Sequence, residues 1–289
     1  MPLPPTLPLP AGLALPSVGL GTFRLRGADA SGAVAAALEA GYRHIDTASI
    51  YKNEGEVAAG IAASGVPRRE VFVTSKVSPY QQGEAAATAA CKASLAALGR
   101  PIDLMLVHWP GVARQDAAAP GNADARRQTW RVLERYHREG AFRAIGVSNY
   151  EVRHLAELLS YAEVAPAVNQ VECHPRWQQR ELRAFCSDHS IAVVAYCSLG
   201  SGALLQDPTV QAVAASTGVT PAQALLLWGL RRGCAVIPKS ADPRRIADVS
   251  PARLAQLWDR LTDDHLAALD ALEAEQGQCK YAWDPSGIA

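Results

Sequence analysis

Eight short apolar runs, separated by longer stretches that read as helices, constrain this chain more than any other feature. The runs are SVGLGT (17–22), RHIDT (43–47), VFVTSK (71–76), LMLVH (104–108), AIGVSN (144–149), AVNQVE (167–172), AVVAYC (192–197) and AVIPKS (235–240). Most are too short for a helix and lack period-two alternation, the pattern of strands buried on both faces. Between them, ASGAVAAALEAG ends at Gly41, NEGEVAAGIAASG at Gly65, GEAAATAACKASLAALG at Gly99 and DARRQTWRVLERYHREG at Gly140. A glycine just past each stretch is a helix-stop signal. Trp130, Leu133 and Tyr136 recur at helical spacing in the last of these, and 150–159, 178–189 and 221–231 are further helix candidates.

Strand–helix alternation repeated eight times predicts an α/β fold, a closed (β/α)8 TIM barrel, with 1–289 as a single domain. An open doubly wound sheet is the alternative. It lacks support, because no GxGxxG follows the first run and GLGTF has the wrong spacing. Residues 111–123 read as a loop, and TLPLPAGLALPS (6–17), with Gly12 between apolar arms, reads as a β-hairpin plugging the barrel floor. The tail 275–289 carries aromatics without periodicity and is placed to wrap over a barrel mouth.

Composition narrows the partners. Lys plus Arg and Asp plus Glu balance at 28 each, which gives no electrostatic footprint for nucleic acid or a membrane surface. No apolar run approaches the roughly 20 residues a membrane span needs. The N-terminus MPLPPTLPLPAGLALP is broken by proline and has no basic segment before its apolar part, so it reads poorly as a signal peptide. The six cysteines form no CxxC pair and read as reduced thiols of a cytoplasmic protein, with no metal site.

In such a barrel the active site lies where the strands end. Here the runs end in Asp46, Lys76, His108, Ser148 and Asn149, Tyr196, and Lys239 and Ser240, while the sixth carries Asn169, Gln170 and Glu172. Each has an ordinary structural alternative: Asp46 as a helix cap, Lys76 as a surface lysine, His108 as a core histidine bonded to backbone. Together in one mouth they form a constellation, and a buried Lys76 needs a counter-charge that Asp46 can supply. Tyr51, five residues after Asp46, adds a phenol. Free tyrosine titrates near about 10, and a nearby ammonium lowers that value, so Lys76 is expected to make Tyr51 a stronger acid. No nucleophile motif such as GxSxG accompanies these groups. The set suits protonation of an oxygen while something else attacks carbon; if the attacker is a hydride, a nicotinamide cofactor must be bound. In IPKSADPRRIAD, Lys239, Ser240, Arg244 and Arg245 surround a helix start with Pro243 in its first turn, a pattern for an anion site or for a solvated basic helix start. Tyr196 offers either a stacking face for a nicotinamide ring or core filling.

These residues stand in motifs with a known counterpart. GYRHIDTASIYKNEGEVAAG (41–60), TSK (74–76), LVHWP (106–110), RAIGVSNY (143–150), VNQVECHP (168–175) and IPKS (237–240) occur in this order. The chain resembles the aldo-keto reductases over nearly its whole length. The resemblance implies an NADP(H)-linked oxidoreductase, acting as a reductase of aldehydes and some ketones, on a (β/α)8 barrel without metal. It implies Asp46, Tyr51, Lys76 and His108 as the catalytic four, with Tyr51 the general acid and His108 orienting the substrate. Ser148, Asn149 and Gln170 would hold the nicotinamide carboxamide, and Tyr196 would stack on its ring. Gly21 and Thr22 would line the cofactor, Leu199 and Ser201 would lie along its pyrophosphate, and Lys239, Ser240 and Arg245 would take the 2′-phosphate. Cys197 stands where the family often has serine, Asp242 where threonine is common and Val249 where asparagine is common. The added charge of Asp242 leaves NADH open beside NADPH (NADP+). Phe23, Tyr80, Trp109 and Trp283 are the candidate pocket walls for a small carbonyl substrate. The short loop after His108 and the tail KYAWDPSGIA (280–289) do not resemble a steroid-binding arrangement. A monomer is expected. Two other classes stay open: a cofactor-binding sensor on the same fold with little turnover, and a barrel lyase or aldolase using Lys76 as a Schiff base.

Overall fold

The computed structural model describes residues 3–289. The chain opens with an antiparallel pair, β1 (Thr6–Pro8) and β2 (Ala14–Pro16), with Leu7 opposite Leu15. Gly12 turns the chain between them at φ +72°, a conformation glycine adopts without steric cost. Leu9 and Leu15 are buried in one cluster with Phe72, Leu104, Leu106, Ala144, Val168, Val194 and Ala235. Several of these begin strands, so the hairpin closes the barrel from below, as the two apolar arms predict.

The eight runs become β3 (Leu20–Gly21), β4 (His44–Asp46), β5 (Phe72–Val77), β6 (Ile102–Val107), β7 (Phe142–Ser148), β8 (Val168–Glu172), β9 (Ala192–Tyr196) and β10 (Ala235–Val236). All pair in parallel with their neighbours in sequence order. The two ends of the sheet meet: Val18 bridges Val236, Gly19 N–H donates to the Val236 carbonyl at 2.8 Å, and Gly21 N–H donates to the Pro238 carbonyl at 3.0 Å. These bonds satisfy the edges that an open sheet would leave unpaired.

The helices are α1 (Gly27–Glu39), α2 (Glu54–Ala63), α3 (Glu84–Leu98), α4 (Gly121–Arg138), α5 (Val152–Tyr161), α6 (Arg180–Asp188), α7 (Pro208–Thr217), α8 (Pro221–Arg231), α9 (Pro243–Asp248), α10 (Pro251–Leu257) and α11 (Asp263–Gln276). The helix-ring core is separate from the barrel interior. In α4, Trp130, Leu133 and Tyr136 are buried as their spacing predicts. That helix starts at Gly121, inside the stretch read as a loop. Asn122 explains the difference: its side chain accepts from Val112 N–H at 2.9 Å and donates to the carbonyls of Asp116 and Ala117, folding the loop onto the helix start. Helices α7 and α10 lie outside the simple alternation. Each begins with a capping side chain followed by proline, Asp207–Pro208 and Ser250–Pro251.

Two buried histidines carry a pH consequence. Burial is the main force holding His44 down to about 4; the Asp46 charge opposes it and the Lys76 charge adds to it. Burial likewise holds His154 down to about 4, against the opposing bond to the Ile288 carbonyl. In the unfolded chain both titrate near about 6.5. Between these values the unfolded state binds protons that the native state refuses, so stability falls as pH drops through that window. The urea midpoint should hold steady at neutral pH and decline from about 6.5 toward about 4. The His44→Gln chain should show a shallower decline.

Candidate active site

The barrel geometry brings the strand ends to one rim. Asp46 closes β4, and Lys76 sits one residue before the end of β5. His108 follows β6, with its N–H on the Val77 carbonyl at 3.0 Å. Tyr51 is carried back to this rim by a short 3-10 helix, Ser49–Tyr51, which Lys52 ends in a left-handed conformation at φ +54°. Ser49 pins that turn, its hydroxyl lying 2.9 Å from the Lys76 carbonyl and 2.7 Å from Gln81 Oε1.

At the centre is a buried ion pair. Lys76 is fully buried, and its Nζ donates to Asp46 Oδ1 at 2.6 Å and to the Thr47 carbonyl at 2.8 Å. The second oxygen of Asp46 accepts from Gln170 Nε2 at 2.7 Å. Burial pulls the Lys76 ammonium down, and the Asp46 carboxylate opposes that pull. Lys76 Nζ lies 5.2 Å from the centre of the Tyr51 ring, and the His108 ring meets Tyr51 edge-on at 5.7 Å.

The phenol itself departs from the sequence expectation. Desolvation, then the charge of Asp46 and the neighbouring Tyr196, holds Tyr51 well above its ordinary value. Burial and the Asp46 charge outweigh the pull of the Lys76 ammonium, which is itself paired with Asp46. Tyr51 therefore keeps its proton at neutral pH. His108 is pushed well below the ordinary histidine range by burial and then by Lys76, so it is a neutral imidazole. Its Nδ1 is buried without a hydrogen-bond partner among the described residues.

A belt of side chains continues around the rim. Ser148 Oγ donates to the Gln170 carbonyl at 2.8 Å, and Asn149 Nδ2 donates to Ser148 Oγ at 3.0 Å and to the His108 carbonyl at 3.1 Å. Tyr196 donates to Asn149 Oδ1 at 2.7 Å, which fixes its half-buried ring. Thr22 Oγ1 donates to the Asp46 carbonyl at 3.0 Å. Gly21 is required beside it, because a Cβ there would lie 2.8 Å from the Ile237 carbonyl. Asn53, which the sequence reading passed over, joins these parts. It accepts from Thr47 Oγ1 at 2.7 Å and donates to the carbonyls of Thr22 and Leu25 at 2.9 and 3.0 Å.

The remaining candidates divide. Gly200, Ser201 and Gly202 run consecutively at positive φ beside Leu199, a backbone shape that turns successive amides toward one side. Lys239, Arg244 and Arg245 are exposed at the start of α9. Asp242 caps that helix through the Arg244 N–H at 2.8 Å and faces the Arg244 and Arg245 guanidinium groups at 3.5 and 4.0 Å. Phe23, Tyr80 and Trp283 are the three exposed large apolar side chains of the described residues. Phe23 packs on Tyr51 at 5.2 Å, and Trp283 meets Trp109 at 5.8 Å and His108 at 6.2 Å. Tyr80 meets the Arg114 guanidinium instead, at 5.5 Å.

Comparison with known proteins places this rim in context. The profile described as the aldo/keto reductase family matches residues 17–274. The chain belongs to the aldo/keto reductase family. It is 41% identical over 274 residues to the glyoxal reductase of Bacillus subtilis, covering 94% of each chain. It is 42% identical over 268 residues to the 9,11-endoperoxide prostaglandin H2 reductase of Trypanosoma cruzi, covering 91% of this chain and 89% of that one. Among solved structures it resembles MGS-M4, an aldo-keto reductase from a Medee basin deep-sea metagenome library, with TM-score 0.87, 36% identity and coverage of 98% and 100%. An aldo/keto reductase from Brucella melitensis superposes with TM-score 0.83 at 37% identity, covering 93% of this chain and 99% of that one. This aldo/keto reductase is thus an oxidoreductase of a family that uses nicotinamide cofactors and takes small carbonyl substrates. Among its described residues, no single helix is long and apolar enough to cross a membrane, and no three or more His, Cys, Asp or Glu side chains group to hold a metal.

Proposed function

We propose that this aldo/keto reductase reduces the carbonyl group of aldehydes and some ketones with NADPH, Tyr51 serving as the general acid. The observation that carries the reading is the buried Asp46–Lys76 pair set beneath the Tyr51 ring, with neutral His108 at its edge.

The rim suits the nicotinamide group on its own chemistry. Asn149, Ser148 and Gln170 present amide and hydroxyl groups that match a carboxamide, beside a tyrosine ring whose orientation is already fixed. Ser201, in the left-handed run, and Leu199 beside it are assigned to the pyrophosphate, and Gly21 and Thr22 to the wall beside it. When bound, the cofactor supplies the hydride that the carbonyl carbon accepts. The protein's part is acid–base and positional. Tyr51 holds a proton at neutral pH and delivers it to the carbonyl oxygen as negative charge gathers there. Lys76 then faces a developing tyrosinate, and its ammonium stabilises that charge more than it stabilised the neutral phenol. Asp46 keeps Lys76 charged and fixed in place. His108, neutral, donates one hydrogen bond to the same oxygen and orients it. Phe23, Trp109 and Trp283 give the pocket an aromatic wall, with Tyr80 at its rim. The glyoxal reductase among the relatives supports a small aldehyde as substrate. We assign the protein to the cytoplasm as a monomer.

Lys239, Ser240 and Arg245 are the candidates for the adenosine 2′-phosphate. Asp242 works against them by occupying the cap of α9 and pairing with its arginines. Tyr51→Phe should lower kcat by at least about 10²-fold while cofactor affinity, read by fluorescence titration, stays within about twofold. Full activity in that variant would remove Tyr51 from the acid role. Asp242→Thr keeps a capping oxygen and removes the charge. Its ratio of kcat/KM for NADPH over NADH should rise by roughly fivefold. An unchanged ratio would show that the phosphate lies elsewhere.

A further inference from the structure

Glu172, the last residue of β8, is fully buried, and the roles given above to the rim leave it unused. Its carboxylate is crowded with donors. Tyr281 N–H reaches Oε1 at 2.6 Å, Ala282 N–H reaches Oε2 at 3.2 Å, and Lys280 Nζ lies 3.2 Å from Oε2. His174 Nε2 lies 3.1 Å from Oε1. Three of the four partners are consecutive residues of the C-terminal tail. Burial alone would raise this carboxyl, but the bonds from His174 and Tyr281 and the charge of Lys280 outweigh it and hold the group below the ordinary carboxylate range. Farther along, the tail is tied down again: Arg153 donates to the Ser286 carbonyl at 2.6 Å, and His154 bonds the Ile288 carbonyl at 3.0 Å.

Trp283 follows Ala282 directly. It sits between the two sets of anchors, half exposed, and its ring contacts are His108 and Trp109. On the other side of the clamp, the Tyr281 ring packs on His174 at 5.2 Å and closes against Gly200, where a Cβ would come within 2.9 Å of it. One buried carboxylate therefore fixes both the residue that meets the 200–202 loop and the residue that walls the pocket.

We infer that Glu172 is a positioning residue for substrate specificity: it clamps the tail at residues 280–282 so that Trp283 stands as a fixed wall beside His108. The inference rests on the reductase reading of the rim, and the clamp itself is measurable without turnover. A fixed wall matters to a substrate large enough to reach it. An aromatic aldehyde lies against Trp283 when its carbonyl is at Tyr51 and His108, whereas a two-carbon dialdehyde does not extend that far.

The test uses the full chain, with Glu172→Gln as the variant that keeps shape and removes charge. The first readout is the ¹⁹F resonance of 5-fluorotryptophan at position 283, assigned with Trp283→Phe, together with hydrogen exchange of the 280–282 amides. In Glu172→Gln the resonance should shift and broaden, and those amides should exchange at least about tenfold faster. The second readout is kinetic. KM for benzaldehyde should rise about tenfold with kcat within about twofold, and KM for glyoxal should change less than about twofold. Should Glu172→Gln fail to fold, Lys280→Met, which removes only the tail's charge, must show the same split at about threefold on benzaldehyde. An unchanged Trp283 resonance and unchanged exchange would overturn the clamp. Equal losses for both aldehydes, in kcat as well as KM, would overturn the specificity role and leave only a structural one. If the unaltered chain reduced neither aldehyde, the reductase reading and the specificity role built on it would fall together, while the resonance and exchange would still decide whether Glu172 holds Trp283.

Discussion

Everything at the barrel mouth is arranged around the bond from Lys76 to Asp46. A lysine with no solvent exposure is tolerable only if its charge is neutralised and its protons are accepted. Asp46 does the first, and Asp46 and the Thr47 carbonyl share the second. Because Asp46 and Lys76 lie in adjacent parallel strands near their C-terminal ends, the sheet itself sets their approach, and neither side chain needs a flexible loop to find the other. Asp46 spends its second oxygen on Gln170 across the mouth, so the pair also fixes a residue of the proposed carboxamide site.

From that pair, order spreads outward through short bonds rather than through mass of packing. The belt from Gln170 through Ser148 and Asn149 to Tyr196 links three strands, β8, β7 and β9, and Asn53 ties the first loop to the segment that carries Tyr51. Tyr51 and His108 stand on segments just beyond strands, and Asp46 and Lys76 on the strands that hold those segments. A second buried carboxylate at the rim, Glu172 of β8, accepts from the tail as Asp46 accepts from Lys76. Both are carboxylates at strand ends whose partners lie on another part of the chain.

Much of this was legible in the amino-acid sequence because barrel strands are buried on both faces and therefore apolar until they reach the rim. The polar residue that ends each run marks the mouth, and the register of β4 with β5 sets Asp46 opposite Thr74, two residues before Lys76, close enough for the lysine side chain to reach it. Helices α7 and α10 were hidden because they stand outside the alternation, although Asp207–Pro208 and Ser250–Pro251 are start signals in retrospect. Asn53 was passed over because its partners, Thr22, Leu25 and Thr47, come from separate segments that only the fold assembles. The direction of the Tyr51 shift was misread for a related reason. Proximity to an ammonium was visible, but the desolvation and the nearby Asp46 charge that outweigh it depend on the fold. The tail's return to the rim, with Trp283 beside His108, follows from its aromatic character, whereas the bonds that tie it to Glu172 depend on the fold.

The most direct test of the central claim is a double-mutant cycle on Asp46→Asn and Lys76→Met, read as unfolding free energy. If the two side chains form one buried, mutually dependent pair, each single variant leaves an uncompensated partner, and the double variant should be less destabilised than the sum by about 2 kcal/mol or more. Additive losses would contradict the account, because they would mean that Lys76 and Asp46 are satisfied independently and that nothing at the mouth depends on their bond.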